Sequence, residues 1–75
     1  MRDQIIEILK SIKEFDNIEN EKGLIDNEIL NSLELMELIN ELEDNFGITV
    51  GMEDIKAENF NDVDAISRLV EELGA

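Results

Sequence analysis

Cysteine, histidine and proline are all missing from this 75-residue chain. Without cysteine there are no disulfides and no thiolate metal ligands, and without histidine most zinc chemistry goes too. The same two absences remove thiol nucleophiles and imidazole general bases, so the chain is a poor candidate for an enzyme. Positive charge is also scarce: 6 Lys and Arg stand against 20 Asp and Glu, for a net charge of −14. Such a chain repels nucleic acid and anionic membrane. Its natural partners carry basic patches and meet it in fast, salt-sensitive encounters, and its self-repulsion favours a monomer. No apolar run approaches the length of a membrane span, and Met1-Arg2-Asp3-Gln4 has no leader pattern. The expected location is the cytoplasm.

What is present is enough apolar material, 43% of residues, to bury one small core. The expectation is a single domain over 1–75, near the size at which one core is only marginally stabilising. Ile5, Ile8, Leu9, Ile12 and Phe15 recur at helical spacing and predict a first helix from Arg2 to Phe15. The pattern then dissolves into a polar loop from Asp16 to Asn31, pegged to the core by Leu24, Ile25, Ile29 and Leu30. A loop that long in a compact domain is usually functional. A second helix is predicted from Ser32 to Asn45, with Asn31 as its N-cap and Gly47 as its terminator. A weak turn follows near Met52 to Ala57. Asn61, with Asp64 at its third position, then caps a last helix carrying Val63, Ile66, Leu69, Val70 and Leu73. With no strand-like alternation and no internal repeat, the fold class is all-α: a small four-helix bundle of three main helices and one short one, with a long first loop.

The second helix carries the functional signal. On a helical wheel Leu35, Leu38, Ile39, Leu42 and Phe46 form the core stripe. Leu33 and Met36 lie outside it, in a sector shared with Glu37, Asn40, Glu43 and Asp44 and flanked by Glu34 and Glu41. No Lys or Arg occurs from Gly23 to Ile55, so the acidic field there has no local compensation. A solvated face normally mixes signs in pairs. Two apolar residues ringed by carboxylates instead describe a docking surface with an apolar centre and a charged rim. The competing reading packs Leu33 and Met36 under the long loop. Ser32, at the junction of loop and helix, completes the platform.

The run Asn31-Ser32-Leu33-Glu34-Leu35-Met36-Glu37-Leu38, followed by Leu42-Glu43-Asp44-Asn45-Phe46-Gly47-Ile48-Thr49-Val50, resembles the acyl and peptidyl carrier proteins. Glu53-Asp54-Ile55, Glu58-Asn59-Phe60 and Val63-Asp64-Ala65-Ile66 continue the likeness, which is nearest to stand-alone carriers served by acyl- or aminoacyl-adenylating ligases, D-alanyl carriers included. The resemblance implies an acyl-carrier-type bundle and a 4′-phosphopantetheine on Ser32, taken from coenzyme A by a separate magnesium-dependent phosphopantetheinyl transferase. It implies partner binding through Leu33, Glu34, Met36, Glu37, Asn40, Glu43 and Asp44. It also implies a thioester-carrying role in fatty acid, polyketide, peptide or D-alanine pathways, with synthases and transferases among the partners. The family's usual Asp before the serine is Asn31 here; it caps a helix equally well but removes a charge beside the hydroxyl.

Two other readings remain on the sequence. One is an unmodified carrier fold that acts by docking alone, with Ser32 merely structural. The other is loose binding of magnesium or calcium by the carboxylates. Asp16, Asn20 and Glu21 crowd together but miss the EF-hand template, since Ile18 stands at the third position and Glu21 at the sixth. No specific metal site is expected. An enzyme reading has no group to activate Ser32.

Overall fold

A computed structural model describes residues 1–74, and among them the secondary structure is entirely helical. Four α-helices follow in order: α1 (Arg2–Ile12), α2 (Ser32–Phe46), α3 (Ala57–Phe60) and α4 (Val63–Glu72), with single 3-10 turns at Ile18–Asn20 and Met52–Asp54. The expected all-α arrangement of three main helices and one short one is present. α1 packs against both α2 and α4, and α3 packs against α4. The core between them is apolar throughout, with Ile5, Leu9, Leu24, Leu38, Leu42, Phe60, Ile66 and Val70 wholly buried.

α1 is shorter than its periodicity predicts. It stops at Ile12 because Lys13 turns to extended backbone, although its N–H still bonds the carbonyl of Leu9. Phe15 nonetheless packs against the core, reached through loop rather than helix. All four expected pegs of the long loop hold: Leu24 and Leu30 are buried, and Ile25 and Ile29 pack against the core. Ile18 is a fifth, buried in its own 3-10 turn. The middle of the loop is knotted by backbone hydrogen bonds from Asn27 N to Gly23 O, Glu28 N to Ile25 O and Leu30 N to Leu24 O. A Cβ at Gly23 would press on the side-chain amide of the exposed Asn27, which would have to turn aside to admit it.

The start of α4 corrects the sequence reading. Asp62, not Asn61, is the N-cap, its carboxylate accepting from Ala65 N at 2.7 Å. Asn61 is turned to another use: its Oδ1 accepts from Ile25 N and Asp26 N, both at 3.0 Å. The weak turn expected near Met52 to Ala57 is present, but the short helix lies after it. The chain makes a 3-10 turn at Met52–Asp54, held as Gly51 N donates to the Asp54 carboxylate, and the short helix begins only at Ala57. Its Phe60 is wholly buried, and that burial fixes where the short helix lies.

Candidate functional site

α2 begins and ends as its sequence dictates. Asn31 Oδ1 accepts from Glu34 N at 2.8 Å while the Glu34 carboxylate accepts from Asn31 N at 2.9 Å, a reciprocal capping box. Gly47 closes the helix in the left-handed region, φ 65°, with its N–H on Glu43 O. In that conformation a glycine avoids the penalty a Cβ would bring. Leu38, Ile39 and Leu42 are buried and Leu35 and Phe46 pack at the core margin, so the predicted stripe is the inward face.

Ser32 is the first residue of α2 and is exposed. Its hydroxyl has no hydrogen-bond partner among the described residues, because Asn31 has taken the capping role. The amides of Ser32 and Leu33 are among those that helix geometry leaves without an intrahelical acceptor, at the positive end of the helix dipole. A hydroxyl here is accessible, and an anion attached to it would face donors. The residues present therefore fit a phosphodiester at this position.

Leu33 and Met36 are 70% and 50% exposed, so they do not pack under the long loop. Glu37, Asn40 and Asp44 are exposed on the same helix. Glu37 and Asn40 also border an open recess of about 270 Å³ between α1 and α2, shared with Ser11, Ile12 and Glu41. Two of the acidic residues are engaged within the fold. Glu34 is half-buried in the capping box, and the half-buried Glu43 accepts from Val50 N at 2.9 Å across the Gly47 turn.

The structure corrects the expectation of an uncompensated acidic field. Lys13, just beyond α1, reaches the start of α2: it donates to Ile29 O, and its Nζ lies 3.6 Å from Glu34 Oε1. Nothing local in the sequence marks this contact, which depends on how α1 docks. Two exposed apolar residues also escaped the sequence reading, Met52 at 89% and Ile55 at 38%. Their signal was available, as apolar positions inside an element too weak to bury them.

A family model described as the phosphopantetheine attachment site matches residues 3–70. A comparison with curated proteins gives no significant match.

Proposed function

The chain belongs to the phosphopantetheine-attachment family, whose domain is the site of covalent 4′-phosphopantetheine attachment, and we propose that Ser32 is the residue that bears the group here. The single observation that carries this is the exposed, unpartnered hydroxyl of Ser32 at the first position of α2, freed by the Asn31–Glu34 capping box. Loading forms a bond between Ser32 Oγ and the pantetheine-side phosphorus of coenzyme A. The pyrophosphate bond breaks, the nucleotide half of coenzyme A leaves, and the serine proton passes to the transferase. Ser32 needs no internal base, which agrees with a chain that has no histidine and no cysteine. The bound arm supplies the thiol, and so the thioester chemistry, that the chain lacks.

In this reading the protein is a non-catalytic, monomeric carrier, one domain over 1–75, working in the cytoplasm between a phosphopantetheinyl transferase and acyl- or aminoacyl-transferring enzymes. Leu33 and Met36 form the apolar centre of its docking face, with Glu37, Asn40 and Asp44 as the rim that meets basic patches. Glu34 and Glu43 support that face by holding the two ends of α2.

The test is intact mass after incubation with coenzyme A and a broad-specificity transferase. The wild type gains one phosphopantetheinyl unit and Ser32→Ala gains none. A folded wild type that gains no mass overturns the reading and leaves an adaptor that acts by docking alone.

A further inference from the structure

Resting on Ser32 as the attachment residue, we propose that Lys13 is a positioning residue for the phosphodiester, the cation that offsets the added anion at the start of α2. Phosphopantetheinylation adds a negative charge to a chain already at −14. It adds it inside the segment from Gly23 to Ile55, which has no Lys or Arg of its own, and two residues from the carboxylate of Glu34. The fold brings Lys13 to this segment from outside it. The Lys13 backbone turns extended where α1 ends, and its side chain crosses to Ile29 O. Its Nζ stands 3.6 Å from Glu34 Oε1, the same oxygen that accepts from Asn31 N at 2.9 Å. One carboxylate oxygen thus links the ammonium to the residue covalently joined to Ser32.

The head of Lys13 has capacity to spare. An ammonium has three donors; one is used on Ile29 O, and 3.6 Å to Glu34 is too long for a hydrogen bond. The side chain is 40% exposed. Of the other cations, Arg2 is engaged with Asp64 and Glu19 and Lys56 with Glu58, and none but Lys13 makes an ion pair to α2 among the described residues. A Lys–Glu pair at 3.6 Å whose ammonium is open to solvent contributes little by itself. A phosphodiester gives the ammonium a second anion within a Debye length, and the interaction is correspondingly sensitive to salt.

The experiment compares wild type, Lys13→Gln, Lys13→Arg and Lys10→Gln, each unloaded and loaded, with loading verified by intact mass. The readout is the change in melting temperature on loading, so any cost of losing the Ile29 contact cancels within each variant. At low salt, loading is expected to be about 1–5 °C more favourable in wild type and Lys13→Arg than in Lys13→Gln. Lys10→Gln, which loses the same charge one turn back, follows wild type, and the gap closes near 1 M salt, where the Debye length is about 3 Å. In wild type alone, the Lys13 side-chain methylene resonances next to the ammonium are expected to move most among the lysines on loading. A wild type that does not load overturns Ser32 as attachment residue and this inference with it. Equal loading shifts in Lys13→Gln and wild type, or lysine resonances that move elsewhere and not at Lys13, overturn the role of Lys13 alone.

Discussion

Asn61 holds Asp26 at both ends of its amide: Oδ1 accepts from Asp26 N and Nδ2 donates to Asp26 Oδ2, each at 3.0 Å. The same Oδ1 takes the N–H of Ile25, and the Asn61 carbonyl takes that of Leu24 at 2.9 Å. Three consecutive loop amides therefore end on one residue, and the long first loop is fastened to the junction of α3 and α4. Asn61→Ala strips the acceptor from two amides, one of them on the half-buried Ile25. The expected loss is about 1–3 kcal/mol in urea unfolding. Faster amide exchange should appear at Ile25 and Asp26 before the rest of the loop. Unchanged exchange at those two residues would show that the clip does not hold the loop.

Asn31→Ala removes the side-chain acceptor for Glu34 N, while the backbone N–H at position 31 can still donate to the Glu34 carboxylate, and it should cost about 1 kcal/mol, within a range of 0.5–2. Asn31→Asp preserves the acceptor, so its stability should stay within a few tenths of a kcal/mol of wild type. It also returns a charge to the position before Ser32, and transferase loading should become faster. Steady-state loading kinetics on the two variants separate the effects. An Asp variant that loads no faster would show that the neutral cap is no handicap.

The docking face is tested by Met36→Ala and Glu37→Lys. Both side chains are exposed on α2, so helicity and urea midpoint should barely move. Each should lower kcat/KM for transferase loading roughly tenfold, as expected for loss of an interface anchor or reversal of a rim charge. Wild-type kinetics in both variants would remove α2 from the docking assignment.

Arg2 and Asp64 predict a measurable pH signature. The guanidinium Nε donates to Asp64 Oδ1 at 2.8 Å, and this bond, reinforced by the positive charge, holds the Asp64 carboxyl below its ordinary value of 3.8. The folded value is depressed, so in acid the unfolded chain binds the proton more readily. The stabilisation is therefore complete above the ordinary value and disappears as pH falls through the folded one. A side-chain carboxyl titration by NMR should place the Asp64 midpoint lower in wild type than in Arg2→Gln. Coincident midpoints would refute the pairing.

The second helix was legible in the sequence because everything that defines it is local. Asn31 and Glu34 sit three residues apart, Gly47 marks the exit, and the core stripe separates Leu33 and Met36 from the inward face without any tertiary information. Asn61 was misread because it and Asp62 are both sound N-caps by residue type. Only the arrival of Leu24 to Asp26, contributed by the remote loop, decides between them. Lys13 was invisible for the same reason, since its partners Ile29 and Glu34 lie at the far end of the long loop and just beyond it. Phe15 kept helical spacing past the true end of α1 because the core accepts an aromatic ring from a loop as readily as from a helix. The short third helix had too few residues for periodicity to place it.

The fastening of Leu24–Asp26 to Asn61 turns the chain between them into a ring, with α2 as one of its sides. A helix set in a ring can fray at its ends, but it cannot be drawn far from the bundle unless the clasp breaks or Leu24 and Phe60 leave the core. Tension applied at Ser32, where a partner would draw on whatever is attached, runs along α2 toward that clasp and the core on which it closes.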